Sequence, residues 1–128
     1  LLVTLGPASA PAAWDPALRA LLAAEPGEVV ERGGAAAHLA SLERTHPVFA
    51  PFATPRSGDL AAPRVLRHRA LAPAAGAQVL ARFDDGQPAL VERAVGRGRV
   101  LVWASTLDAF WTDLALHPVF VPLVHGLA

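Results

Sequence analysis

The sequence predicts an α/β protein in which a layered sheet is followed by an antiparallel β-meander and a terminal helix. Three observations lead to this prediction: an apolar run that opens the chain, a helix signal close behind it, and several strand-like runs separated by tight-turn residues. The composition agrees, since 53% of the 128 residues are hydrophobic and 17% are charged, as in a globular domain. A fold of this length buries about two-thirds of its unfolded surface, which is enough for an ordinary core.

The opening run, Leu1–Gly6, is apolar and ends at a glycine. This pattern is typical of a strand that is buried on both faces. Such a strand needs a neighbour on each side. We therefore expect residues 1–128 to be a single domain unit and a fragment, the carboxy-terminal part of a larger α/β domain.

A short amphipathic helix is predicted next. Asp15 can cap it and Pro16 suits its first position, while Pro26-Gly27 stops it near Glu25. Leucines at i, i+3 and i+4 form the apolar face that would cover the sheet, at positions Leu18, Leu21 and Leu22.

The middle of the chain gives weaker signals. Glu28–Arg32 could be a short strand, and residues 35–58 are expected to be rich in loops because three prolines interrupt them. Residues 64–71 alternate imperfectly and end at Pro73, which predicts a strand with one solvated face. Arg67 and Arg69 would share a face of that strand, where they either meet an anionic partner or are simply solvated.

The clearest local pattern is a three-stranded meander formed by Gln78–Phe83, Ala89–Val95 and Arg99–Ala104. Asp85-Gly86 readily takes the positive φ of a tight hairpin turn, and Gly96–Gly98 provides the second turn. The third run is apolar almost throughout, so we expect it to lie in the sheet interior. Charged residues mark the first two runs as more exposed, namely Arg82, Glu92 and Arg93.

A helix is predicted to close the chain at Val119–Leu127, with Pro122 tolerated only near its start. Its apolar character also raises the possibility of a structural oligomerisation module, in which this helix packs against a partner.

Composition excludes several classes of function. There is no cysteine, so disulfides, thiolate nucleophiles and cysteine-ligated zinc are impossible. Eleven arginines are balanced by eleven acidic residues, so no net positive field favours nucleic acid. The apolar stretches fall short of the roughly 20 residues that a membrane helix needs.

The strongest candidate site is the loop after the third meander strand, because ligands of open α/β sheets gather beyond the carboxyl ends of strands. Four side chains could build a polar ligand site there: Ser105, Thr106, Asp108 and Asp113. The alternative is that the two aspartates cap turns while Phe110 and Trp111 pack the loop down.

Other motifs point away from catalysis and cofactors. No pair of the five histidines has the close helical spacing of a zinc site, and we predict neither a metal nor a cofactor. A Gly-x-Ser-x-Gly nucleophile turn is absent, and Ser57-Gly58-Asp59 is better explained as a turn. Gly96–Arg99 joins two strands and opens no helix, so it is a hairpin and not a phosphate loop.

The sequence is also similar to the carboxy-terminal region of bacterial BatA-type proteins, which are membrane-anchored and carry an aerotolerance-regulator amino-terminal segment. The matching residues are Gly76–Phe83, Asp85-Gly86, Pro88-Ala89-Leu90, Glu92-Arg93, Gly96–Val100, Ser105–Asp108, Trp111, Asp113-Leu114 and Pro118–His125, with His46–Phe49 and Ser57–Leu60 upstream.

This resemblance implies a flavodoxin-like layered α/β fold of the class I glutamine-amidotransferase-like type. It also implies membrane spans outside these residues, a periplasmic position for this domain and protein partners in the envelope. An amidotransferase needs a cysteine nucleophile and a histidine after a late strand, whereas Ser105-Thr106 follows the strand here. The catalytic pattern of that class therefore fails within these residues.

Two functions remain open at this stage. The first is a non-catalytic binding or scaffolding domain of a membrane-anchored bacterial envelope protein. The second is a degenerate hydrolase or carbohydrate-active domain that uses Asp108 or Asp113 as an acid or a base.

Overall fold

The computed structural model describes residues 1–54, 56 and 58–127, which form a mixed five-stranded sheet and a separate two-stranded sheet. The strands and α-helices are β1 Leu2–Thr4, α1 Pro16–Leu21, β2 Ala24–Glu31, β3 Leu39–Leu42, β4 Arg67–Pro73, β5 Gln78–Phe83, β6 Pro88–Val95, β7 Gly98–Trp103 and α2 Phe120–Leu127. Short 3-10 helices lie at Pro11–Ala13, Pro47–Ala53 and Leu114–Leu116.

The predicted flavodoxin-like, glutamine-amidotransferase-like layered fold is wrong. The five-stranded sheet has the order β1-β7-β6-β5-β3, and only the β1–β7 pair in it is parallel. Strands make up 36% of the described structure and helices 22%, so the fold is rich in β structure. Parallel neighbours need crossover connections of a dozen or more residues, usually helical, whereas tight turns join β5, β6 and β7 here.

The predicted meander is present, because the turn chemistry of the sequence matches the backbone. Gly86 has a φ of 87° and Gly96 a φ of 57°, both in the region that glycine adopts without steric cost. The strands β5, β6 and β7 pair antiparallel in chain order. As predicted, β7 lies inside the sheet, between β6 and β1.

The two faces of this sheet pack against different parts of the chain. Since successive side chains of a strand point to opposite faces, the regular β6–β7 register puts Glu92 beside Leu101 on one face. That face meets the 3-10 helix Pro47–Ala53, through a hydrogen bond between Glu92 and His46. On the opposite face, Arg93 donates to the carbonyl of Ala20 at 3.0 Å, next to the end of α1.

The opening strand and the first helix differ from their predictions. β1 lies at the edge of the sheet and is only half-buried, although Leu5 beyond it is fully buried. The Asp15 carboxylate does cap α1, by accepting from the Ala17 N–H at 2.9 Å. However, α1 ends at Leu21, because the chain from Ala24 onwards pairs with β4 as a strand. The helix buries none of its residues.

The region between the sheets is more ordered than its prolines suggest. β2 contains Pro26-Gly27, and the register of its pairing with β4 shifts between Pro26 and Val29. Residues 35–54 include β3 and the 3-10 helix Pro47–Ala53. Ser57, from the predicted turn Ser57-Gly58-Asp59, lies outside the described residues.

Candidate functional site

Ser105, the first residue of the predicted site, is fully buried. Its hydroxyl donates to the carbonyl of Arg67 at 2.7 Å. The bond fixes the end of β7 to β4, a connection that the Arg69 N–H extends by donating to the carbonyl of Ala104 at 2.7 Å. Ser105 thus joins the two sheets and presents nothing to a ligand.

Thr106 and Asp108 form a local turn. The Thr106 hydroxyl and the Phe110 N–H both donate to Oδ1 of Asp108, at 2.8 and 2.9 Å, which is the bonding that makes aspartate favourable in turns. The Phe110 N–H, together with the Thr106 hydroxyl, lowers the pKa of Asp108 below its ordinary value. Asp108 is therefore a carboxylate at neutral pH and holds no proton to donate.

Asp113 is bonded to a different part of the chain. Its carboxylate accepts from the Arg64 N–H at 2.7 Å and from Nε of Arg64 at 3.0 Å, and His117 Nε2 lies 3.1 Å away. Partial burial acts to raise the pKa of Asp113, but the two bonds from Arg64 and the nearby His117 and Arg64 charges outweigh it and leave the pKa lowered.

The four predicted site residues do not converge. Ser105 faces β4, Thr106 and Asp108 bond to one another, and Asp113 is paired with Arg64. A hollow of about 170 Å³ includes Asp113 but none of the other three. The turn-capping alternative fits Asp108, whereas Asp113 bonds to Arg64 and its side chain makes no cap bond to the 3-10 helix that follows it. The predicted packing of the loop is also only half correct, because Trp111 is buried while Phe110 is 83% exposed.

The two arginines of β4 have separate roles. Arg67 is exposed and its Nε donates to Glu31 at 2.7 Å. Arg69 is buried, and its guanidinium donates to three main-chain carbonyls at 2.8 to 3.0 Å, those of Gly6, Pro7 and Gly27. The solvated-face interpretation therefore fits Arg67 alone.

A cluster of ionisable side chains that the sequence did not single out lies on the covered face of the sheet. Glu92 accepts from His46 Nε2 at 2.6 Å and from Arg99 Nη1 at 3.2 Å. The side chains of His46 and Glu92 are only 9% and 11% exposed. The expectation that Glu92 marks an exposed strand is wrong. The alternation of β6 could have indicated that Glu92 is buried, because Glu92 shares a face of the strand with Leu90, which is buried.

This cluster lines a cleft of about 310 Å³. Its walls come from β6 and β7 on one side, and from the start of the 3-10 helix Pro47–Ala53 and the end of α2 on the other. The aliphatic side chains in the walls are those of Leu1, Val48, Leu101 and Leu127, with Pro47 beside them.

Across residues 1–54, 56 and 58–127, no three His, Asp or Glu side chains are grouped so that they could hold a metal ion. The five histidines have different neighbours instead. His46 and His117 contact Glu92 and Asp113, and His68 is buried with its ring centroid 4.4 Å from that of Phe83.

The fold is a β-rich mixed sheet that is shared with known structures. A protein entitled Cytoplasmic Protein STM3548 from Salmonella typhimurium aligns with a TM-score of 0.72 and 17% identity, over 88% of this chain and 44% of its own. Cytoplasmic Protein STM1381 from Salmonella typhimurium LT2 aligns with a TM-score of 0.60 and 22% identity, over 85% of this chain and 40% of its own.

A β-galactosidase from Rahnella sp. R3 shows the same fold, with a TM-score of 0.56 and 19% identity over 86% of this chain and 15% of its own. The chain thus spans less than half the length of each of these three proteins. No family model and no curated protein matches the sequence.

These comparisons correct the class that the BatA-type resemblance implied. The glutamine-amidotransferase-like description is contradicted, since the structure is a β-rich mixed sheet and none of the three neighbours is named as an amidotransferase. The membrane-associated and periplasmic description finds no support in these comparisons, in which two of the three neighbours are named as cytoplasmic proteins. In the part of the chain that the structure describes, no helix is both long enough and apolar enough to cross a membrane. The BatA-type similarity of the sequence itself stays a prediction.

Proposed function

We propose that this chain is a non-catalytic binding or scaffolding domain within a larger protein. One observation carries the proposal: the polar side chains of the Ser105–Asp113 loop are bonded within the domain and do not surround a common space. A catalytic site needs groups that converge on the reacting atoms. This loop has the geometry of a brace between β4 and β7.

Exposed apolar side chains favour a binding role. Phe110, Leu116 and Val121 are 83%, 78% and 66% exposed and belong to one short segment of the chain. Exposed apolar side chains that gather in one patch are typical of contact surfaces. By contrast, Leu123 and Leu127 of α2 are buried in the domain's own core. The support for a protein partner therefore comes from residues 110–121, and not from the whole apolar carboxy terminus.

The alternative function is a degenerate hydrolase or carbohydrate-active domain that uses Asp108 or Asp113. Both carboxyls have a lowered pKa, so neither suits a general acid at neutral pH. A role as base or nucleophile would require Asp113 to leave its bonds with Arg64.

An assay of loop-dependent turnover separates the two functions. The assay measures release of ammonia from glutamine and hydrolysis of esters and glycosides by the purified full-length protein. We expect no such activity that depends on the loop, so the Asp108→Asn, Asp113→Asn double variant should abolish none of it. Asp59→Asn is a matched control, because Asp59 also accepts a local N–H bond, from Ala61 at 2.9 Å. Turnover that is lost in the double variant and kept in the control would refute the non-catalytic proposal.

A further inference from the structure

We propose that the cleft beside Glu92 binds a small aliphatic ampholyte, a molecule with an ammonium group, a carboxylate group and an aliphatic body. An α-amino acid with a branched aliphatic side chain is the simplest member of this class. The inference rests on the proposed binding function and names its ligand. It is carried by three observations: a buried carboxylate, an arginine with unused donors beside it, and aliphatic walls around them.

Glu92 is the predicted contact of the ammonium group. An ionised carboxylate has about four acceptor positions, and the described contacts to Glu92 Oε1 and Oε2 come from Arg99 and His46 alone. The carboxylate lines the cleft, and no bond is described for its remaining acceptor positions. Because its side chain is only 11% exposed, a bond that it makes to a cation is weakened little by water.

His46 positions this carboxylate. Its Nδ1 accepts from the Val48 N–H at 3.2 Å, so the ring proton lies on Nε2, which donates to Glu92. Both nitrogens of the imidazole are thus engaged, one at the start of the 3-10 helix and the other at Glu92. His46 fixes where Glu92 points and has no nitrogen left for a ligand.

Arg99 is the predicted contact of the carboxylate group. A guanidinium has five N–H donors, and the hydrogen bond described for its side chain is the one from Nη1 to Glu92 at 3.2 Å. The remaining donors suit the bidentate binding of a carboxylate. Arg99 is 61% exposed and also lines a second hollow of about 190 Å³ together with Glu92, so the ion pair can be reached from two sides.

The walls select the body of the ligand. Val48, Leu101 and Leu127 give the cleft aliphatic surface. Among the described residues that line it there is no phenylalanine or tryptophan, so these residues provide no flat aromatic surface on which a ring could stack. Its volume of about 310 Å³ lies at the lower end of the usual range for ligand pockets, about 300–1,000 Å³. The Glu92–Arg99 pair has no net charge, which matches a zwitterion better than a singly charged ligand.

Isothermal titration calorimetry of the full-length protein with three matched compounds tests the proposal. The compounds are L-leucine, 4-methylpentanoate, which lacks the ammonium, and 3-methylbutylamine, which lacks the carboxylate. We expect L-leucine to bind, and we expect the affinity of each analogue to be lower by a factor of about ten or more, because each analogue loses one charge-assisted contact. No binding of L-leucine at millimolar concentration, or equal affinity for all three compounds, would overturn the proposal.

A pair of arginine variants locates the site. Arg99→Gln should weaken L-leucine binding about tenfold, whereas 3-methylbutylamine, which has no carboxylate and binds through Glu92, should bind no more weakly than to the wild type. Arg97→Gln is the matched control, since Arg97 is an exposed residue of the same β6–β7 turn, and it should change neither affinity. Equal effects of the two variants would refute the site. Circular dichroism spectra like that of the wild type show that each variant is folded.

The two proposals fail separately. Absence of L-leucine binding removes the ampholyte site and leaves the assay of loop-dependent turnover as it stands. Loop-dependent turnover removes the non-catalytic function, whatever L-leucine does.

Discussion

At the scale of single residues, the buried charge of Arg69 fixes the two-stranded sheet to the loop after β1. Arg69 is 5% exposed, and the bonds described for its guanidinium all go to main-chain carbonyls. A buried cation is tolerated only when its donors are satisfied, and main-chain carbonyls of Gly6, Pro7 and Gly27 do this here. Arg69 therefore ties β4 to β2 and to the loop after β1.

Replacing Arg69 should be far more costly than replacing its exposed neighbour. Arg69→Met leaves three carbonyls without their donor, so we expect the free energy of unfolding to fall by about 2–4 kcal/mol. Arg67→Met on the same strand removes one exposed ion pair and should cost less than about 1 kcal/mol. Urea denaturation measures both changes. Equal losses in the two variants would show that the carbonyl contacts of Arg69 are unimportant.

Asp113 should contribute stability that depends on pH. Its pKa is lowered below the ordinary 3.8 in the folded protein. A carboxyl with a lower pKa in the folded state than in the unfolded state stabilises the fold at pH values above the unfolded pKa. This contribution is lost as the pH falls through the folded pKa. The stabilising contribution of Asp113 is thus complete near neutral pH and declines from about pH 5 downwards.

The test compares urea midpoints of the wild type and Asp113→Asn at pH 7 and pH 2.5. We expect the wild type to be the more stable protein at pH 7 and the difference to shrink at pH 2.5. Glu28→Gln removes an exposed carboxylate from β2 as a control and should show little difference at either pH. A constant difference for Asp113→Asn would contradict the assignment.

At the scale of elements, α2 is held against the 3-10 helix Pro47–Ala53 by a close approach. A Cβ added at Gly126 would collide with the carbonyl oxygen of Val48, closer than real Cβ atoms approach such an atom. The glycine allows the end of α2 to approach the backbone of the 3-10 helix. The same approach brings Leu127 and Val48 together in the wall of the cleft.

Gly126→Ala should therefore push the two helices apart. We expect a loss of about 1–3 kcal/mol in the free energy of unfolding, as is usual for overpacking. Gly34→Ala is the control, because no atom lies within 4 Å of a Cβ built there, and it should change stability by less than about 1 kcal/mol. Thermal denaturation of the two variants measures the difference. A Gly126→Ala protein as stable as Gly34→Ala would rule out the close approach.

The elements that the sequence predicted correctly are those with local causes. Asp15 caps α1 through a bond two residues along, and Gly86 supplies the positive φ of a hairpin turn. The end of α1 and the length of β2 were not predictable in this way, because pairing with β4 decides them. Tertiary contacts override propensity in such places.

In the candidate site, too, bonds between near neighbours in the sequence were predictable and bonds between distant residues were not. The local bonds of Asp108 were foreseen as a turn, whereas the pairing of Asp113 with Arg64 joins residues 49 positions apart. His46 and Glu92 are 46 positions apart. No spacing rule links two residues at such separations, so the sequence alone could not predict the cleft.

At the scale of the whole molecule, a mixed sheet is covered on one face by α2 and the 3-10 helix Pro47–Ala53. The correction from a flavodoxin-like fold follows from the antiparallel order of β7, β6, β5 and β3. It also moves the expected binding site. The carboxyl end of β7 is sealed by the bonds of Ser105 and Asp108, while the cleft lies at the other end of the strand, beside Arg99.

The most direct test of this account is methyl NMR of the full-length protein during titration with L-leucine. We predict shifts for methyl groups of Val48, Leu101 and Leu127 in the cleft. The methyl groups of Leu107, within the Ser105–Asp113 loop, and of Leu114, directly after it, should be unchanged. Shifts at Leu107 and Leu114, without shifts in the cleft, would place the binding site at the loop and contradict the account.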